Sequence, residues 1–204
     1  MDISNITKNL HPLEIKVLLH YSDKDELTSE RLIKELDYKE GHANQAFSWL
    51  SGKELLKETG RTPHTYFEIT ETGRELSKTG TVEERVIALV KENGAKTLPE
   101  IAAALSIENK DIGSAFGMLS KEGVLKMNAE KKAEYTGAAV PSRIAVTAEL
   151  LKKAAGTENG LLDNAGLSAE EQSAMAGLAK KRGATDSPFK IIERETVTYK
   201  LTAD

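Results

Sequence analysis

Four polar side chains, His42, Asn44, Gln45 and Ser48, alternate with Ala43, Ala46, Phe47 and Leu50, apolar residues spaced as the buried stripe of a helix. That spacing turns the polar four outward. Asn and Gln amides donate and accept together, so they can pair bidentately with adenine, and a helix presenting them suits a nucleic-acid groove. The same residues also suit ordinary solvated surface. Lys53, Lys57, Arg61 and His64 follow, where they can meet phosphates, partly offset by Glu54 and Glu58. Lys131 and Lys132 fall in a polar stretch. Lys180, Lys181 and Arg182 form the densest positive run, which suits phosphate contact or cationic termination of a helix. These are the candidate nucleic-acid contacts.

Other chemistry finds little support. No two glycines are separated by a single residue, so dinucleotide loops of the Gly-x-Gly-x-x-Gly type are absent. Neither a phosphate-cradling Gly-Lys-Ser/Thr loop nor a Gly-x-Ser-x-Gly elbow occurs. His11, His20, His42 and His64 are scattered, and the chain has no cysteine, so no metal site is expected. The carboxylates sit on polar helix faces and read as solvated surface. No catalytic residue and no cofactor of this chain is expected.

The elements that position the outward face repeat. Sliding the sequence by 69 residues lays Val17 on Val86, Thr28 on Thr97, Leu36 on Leu105, Ala46-Phe47 on Ala115-Phe116 and Leu50-Ser51 on Leu119-Ser120. A repeat of this length is a whole supersecondary unit used twice. In the first copy, Pro12 to Tyr21, a short helix capped by Thr28, and His42 to Ser51 read as three helices. Leu55 to Glu58 and Thr65 to Thr70, around Gly60 and Pro63, read as a β-hairpin. In the second copy, Thr81 to Glu84 and Thr97 to Glu100 are capping boxes. Its hairpin is expected from Val124 to Met127, returning at Ile144 to Thr147, with a long polar loop over 128–141. The second copy's third helix carries small Gly113 and Gly117 beside Ser114 and Met118, which favours contact with another protein surface at least as much as with nucleic acid.

A third, degenerate unit shows a capping box at Ser168 to Glu171, an apolar face of Met175, Leu178 and Ala179, and two strand-like runs at 190–193 and 197–201. Three helices plus a hairpin is the winged helix, an elaboration of helix-turn-helix. The expected fold is therefore mainly α with small β-hairpins, as tandem winged-helix modules over 1–80, 81–147 and 148–204. One module inserted into another would give the same order of helices and strands. The final phrase Lys200 to Ala203 matches earlier wing ends that are followed at once by a helix, so a cut at a module boundary is expected, with more protein beyond.

The 204 residues suffice for two or three such modules. Net charge is −4. The three segments carry 11, 9 and 8 basic against 14, 9 and 9 acidic residues. None is basic overall, so nucleic acid must be met by local patches, and a free-standing DNA regulator fits poorly. The start of the chain lacks the pattern of a signal peptide, and no apolar stretch approaches the roughly 20 residues of a membrane span.

In their order, four phrases resemble the N-terminal region of the α subunit of phenylalanyl-tRNA synthetase, of the archaeal and eukaryotic-cytosolic type. They are Leu10 to Leu19; Trp49-Leu50 through Leu55-Leu56; Ile69 to Leu76 leading into Glu83 to Val86; and Leu178 to Gly183 leading to Thr196 through Thr202. The resemblance implies a non-catalytic, tRNA-binding region of a cytoplasmic ligase. The full-length enzyme would join phenylalanine to its tRNA with ATP and magnesium. A β subunit would complete an α2β2 assembly through a C-terminal domain absent here. No membrane partner is implied. The alternative is a tandem winged-helix DNA-binding transcription regulator, which would account for Asn44 and Gln45.

Overall fold

The computed structural model describes residues 9–180 and 186–202. It divides into two compact units, residues 1–64 with 193–204, and residues 65–192.

The first unit begins with α1 (Pro12–His20), α2 (Ser29–Leu36) and α3 (Glu40–Gly52). The first two starts have local causes. His11 caps α1 in a capping box with Glu14, Pro12 occupying the first turn. Thr28 caps α2 by accepting the Arg31 N–H. Val17, Leu32, Leu36, Ala43, Ala46, Phe47 and Leu50 close around one core. Strand β1 (Leu56–Ile69) follows.

The second unit holds α4 (Glu71–Thr79), α5 (Val82–Asn93), α6 (Leu98–Leu105), α7 (Asn109–Lys121), β2 (Leu125–Met127), β3 (Ala133–Tyr135), α8 (Ser142–Ala155), β4 (Leu161–Asp163), a 3-10 turn at Asn164–Gly166, α9 (Ala169–Leu178) and β5 (Ala179–Lys180). Two cores lie within it. One gathers Val86, Ile87, Val90, Ile101, Ile112 and Leu119 under the β2–β3 hairpin. The other gathers Phe67, Leu150, Leu151, Ala154, Met175 and Phe189. Helix α8 serves both, since Ile144 belongs to the former and Leu150 and Leu151 to the latter. The capping boxes at Thr81, Thr97 and Ser168 are all formed.

The last strand, β6 (Phe189–Leu201), lies beside β1 in a four-stranded mixed sheet of order β4-β1-β6-β5. Residues 56–64 of β1 and 193–201 of β6 fall in the first unit, and the remainder of each strand in the second.

The 69-residue offset holds in backbone detail. α2 and α6, and α3 and α7, begin and end at equivalent positions. Asp37 and Ser106, the residues closing α2 and α6, are both left-handed, at φ 56° and 54°. Lys16 donates to the Leu36 carbonyl and Arg85 to that of Leu105, one offset apart, so a cation neutralises the same helix end in each copy. Leu27 bridges to Tyr199, and its equivalent Lys96 to Ala133.

That last pair corrects the expected hairpins. Leu56–Ile69 is one continuous strand, not two runs around a turn, and so is Phe189–Leu201. In the first unit the partner strand comes from β6 instead of the chain's own return. Gly60 needs no turn, since it lacks a positive φ. Pro63 sits where β1 has β6 as its neighbour but not β4, which pairs only with Tyr66 to Glu68. A strand with one edge open tolerates a residue that cannot donate. Among the described residues the fold is thus mixed α/β, with one hairpin, rather than mainly α with several.

The hairpin of the second copy returns at Ala133–Tyr135, not at Ile144 to Thr147, which lie inside α8. Ile144, Leu151 and Ala154 are helically spaced and buried, which overrides the strand-like phrase. The loop expected over 128–141 is interrupted by β3. Asn128 Oδ1 accepts from the backbone of Glu130 and Lys132, and Lys131 takes φ 59°, so a tight turn joins the strands. The boundary expected at 147/148 falls inside α8.

Candidate nucleic-acid interface

Helix α3 carries the polar face. Ala43, Ala46, Phe47 and Leu50 are buried, and His42, Asn44, Gln45 and Ser48 are exposed. Ser29 Oγ donates to Asn44 Oδ1 at 3.3 Å, which occupies the amide oxygen and leaves the NH2 as the donor to a ligand. His42 meets Tyr38 edge-on. Trp49, at the border of the face, lies 4.7 Å from the His11 ring. No cation stands among the four residues. The face can exchange hydrogen bonds with bases or sugars but brings no charge of its own.

Charge comes from the strands. Lys57 is exposed on β1. Arg61 is exposed too but engaged: it binds Glu58 at 2.6 and 3.0 Å and Glu195 at 3.2 Å. Glu58 first and Glu195 second raise its already high pKa further. His64 Nε2 meets Thr196 Oγ1 at 3.0 Å. Lys53 is spoken for. Its ammonium lies 2.6 Å from both oxygens of Glu14, which is fully buried. That role is internal, tying α1 to the end of α3.

The remaining candidates belong to the second unit. Lys131 is exposed at the tip of the β2–β3 turn, and Lys132 pairs with Glu130 at 2.6 Å, which raises its pKa. Lys180 does not end a helix: α9 stops at Leu178, and Lys180 lies exposed in β5, parallel to β6 at Lys190. Lys181 and Arg182 lie outside the described residues. His42, Asn44, Gln45 and Ser48 thus share one face, Lys57, Arg61 and His64 share one strand of the same unit, and the lysines at 131, 132 and 180 belong to the second unit.

Sequence reasoning missed three cations. Lys39, exposed, immediately precedes α3 and makes no side-chain cap. Arg194 and Lys200 share the ribbon with Lys57 and Arg61 because β6 lies beside β1. The signal was present, since residues 189–201 contain no Gly, Pro, Asn or Asp to make a turn.

Among the described residues, no helix is long and apolar enough to cross a membrane. No protein-family model matches the chain. The chain is 38% identical, over 98% of its length, to the protein named phenylalanine--tRNA ligase alpha subunit from Treponema pallidum (strain Nichols), covering 42% of that relative. It is 32% identical, again over 98% of its length, to the protein of that name from Borreliella burgdorferi, covering 37% of it. The counterpart from Methanopyrus kandleri is 24% identical over 64% of the chain. The chain is homologous to these alpha subunits over most of its length and spans less than half the length of the curated relatives it matches most fully.

Proposed function

We propose that this chain is the N-terminal, non-catalytic tRNA-binding region of a phenylalanyl-tRNA synthetase α subunit of the archaeal and eukaryotic-cytosolic type, built from winged-helix copies. The observation that carries the reading is the similarity to alpha subunits along nearly the whole chain. In this reading the full-length cytoplasmic enzyme joins phenylalanine to its tRNA with ATP and magnesium, in an α2β2 assembly with a β subunit.

The composition of the α3 face suits such a role. The deep, narrow major groove of A-form RNA excludes a helix, whereas loops and the shallow minor groove offer bases and 2′-hydroxyls. His42, Asn44, Gln45 and Ser48 match those groups. Lys39 and Lys57 supply phosphate contacts at the margins. Absence of an overall positive field keeps nonspecific affinity low, which is useful to a module that positions a substrate bound elsewhere.

Filter-binding titration of the chain with phenylalanine-specific tRNA at low salt tests the proposal. Tighter binding than to an arbitrary RNA duplex, weakened by Asn44→Ala with Gln45→Ala, is the expected result. Equal affinity for both RNAs, or enrichment of a sequence motif from random duplex DNA, would overturn it.

A further inference from the structure

The second copy has used the same helix face differently. One offset along, the positions of His42, Asn44, Gln45 and Ser48 become Asp111, Gly113, Ser114 and Gly117, and that of Trp49 becomes Met118. Long donors have been replaced by short side chains, and an acid stands where the histidine was. This face borders a groove of about 610 Å³ within the second unit, whose other wall is α9, with Ala174, Gly177 and Leu178. Leu76, Val82, Ala115, Leu151 and Pro188 add to its apolar surface. Met118 stands 50% exposed beside it. An ideal Cβ built on Gly177 would meet nothing within 4 Å.

The charges around the groove are one-sided. Asp111, Glu170 and Glu83 line it against one cation, Arg143. Arg143 is already held by two carboxylates, Glu122 at 2.5 and 2.7 Å and Glu83 at 2.8 and 3.1 Å. Among the described residues, neither Asp111 nor Glu170 pairs with a cation. An apolar floor with an acidic rim repels phosphates and favours a cationic occupant.

We propose that this groove docks an amphipathic helix of a protein partner, one with leucine-like side chains on one face and lysine or arginine along its flank. The volume accommodates two or three large apolar side chains, the usual number of anchors in helix-in-groove binding. Small residues on α7 and α9 let a helix backbone come close, and an exposed, flexible methionine adapts to the shape of its guest. The charge complementarity fixes the sign of the flank. The inference concerns the second unit and stands whether or not the α3 face binds RNA.

The probe is a fluorescein-labelled helical peptide of leucine and lysine, titrated into the full chain and followed by anisotropy. A peptide of the same pattern with glutamate for lysine is the control. The lysine peptide should bind saturably, and the glutamate peptide should not. Gly177→Trp, which fills the groove from an exposed helix position, and Asp111→Lys with Glu170→Lys, which reverses the rim, should each weaken binding by about tenfold or more. Circular dichroism confirms that each variant folds, and Met118→Asp gives an independent groove variant if one does not. Equal affinity for parent and all variants would mean attraction to acidic surface in general and would overturn the proposal. So would equal binding of the glutamate peptide. Concentration-dependent dimerisation of the parent that Gly177→Trp abolishes would make the occupant a second copy, and loss of RNA binding in Gly177→Trp would make it nucleic acid. Either result refutes the assignment.

Discussion

Replacing Lys53 by methionine strands a carboxylate. Glu14 is fully buried, both its oxygens lie 2.6 Å from the Lys53 ammonium, and Oε2 also accepts the His11 N–H at 2.7 Å. Methionine keeps most of the lysine stem and removes the charge. Breaking an enclosed ion pair from one side costs about 3–5 kcal/mol. Lys53 keeps 28% of its side chain exposed, so water can reach the vacated position, and the expected loss is about 2–3 kcal/mol. For a folding unit of this size that corresponds to a fall in Tm of roughly 10–20 °C. Trp49 is the only tryptophan in the chain and rests against His11, the residue that caps Glu14's helix. Its fluorescence during urea unfolding therefore reports on this seam. Glu14→Gln preserves the capping box, because glutamine serves at that position, while deleting the charge. The double variant should be less damaged than the sum of the two singles, with a coupling of about 1–2 kcal/mol. If Lys53→Met stays within about 0.5 kcal/mol of the parent, or the two losses simply add, the pair is not the brace described here.

Phe47→Ala should cost about 3–5 kcal/mol in urea unfolding, whereas Phe116→Ala should cost about 1–2 kcal/mol, because Phe116 is only half-buried; equal losses would contradict this. Phe47 stacks on Tyr199 at 4.5 Å, and the second copy has Ala133 at that place. Arg143 holds the Glu122 carboxyl below its ordinary value of 4.5. A depressed carboxylate stabilises the folded form above its unfolded pKa, and the gain is lost as pH falls through the depressed value. Arg143→Met should therefore lower Tm at neutral pH and flatten its decline below about pH 4.5, and unchanged slopes would exclude the bridge. On the RNA face, Asn44→Ala with Gln45→Ala should weaken tRNA binding about tenfold without altering its salt dependence, since neither side chain is charged. Lys57→Ala should reduce the salt slope by up to about one unit. Filter binding across a salt series separates the two, and a slope change from the uncharged pair would contradict the assignment.

Local signals in the sequence are legible because their causes are local. Thr28, Thr81, Thr97 and Ser168 cap helices through their own next turn, and the spacing of Ala43, Ala46, Phe47 and Leu50 sets the inward face of α3 without reference to distant residues. The polar face on α3 follows from the same periodicity. The pairing of β1 was hidden because its partner lies more than a hundred residues away, and Gly60 with Pro63 resembles a turn when no neighbour is known. Ile144 to Thr147 resembles the strand phrases that close the other units, whereas its helical spacing runs on to Ala154. Lys53 looked available for phosphate because nothing near it in sequence announces the buried Glu14, 39 positions earlier. Pairwise electrostatics of that kind become visible only once two helices are side by side.

The separation of β1 from β6 has a bearing on how the chain matures during synthesis. The second copy closes its hairpin soon after its helices, with Tyr135 only 14 residues beyond Lys121, so it can settle while translation continues. The first copy cannot. Its helices emerge before those of the second copy, yet Tyr199, the ring that covers Phe47, is made only after the whole second copy. Until then the first copy must wait with an aromatic side chain uncovered, exposed to chaperones and to neighbouring chains, although its helices are made before those of the second.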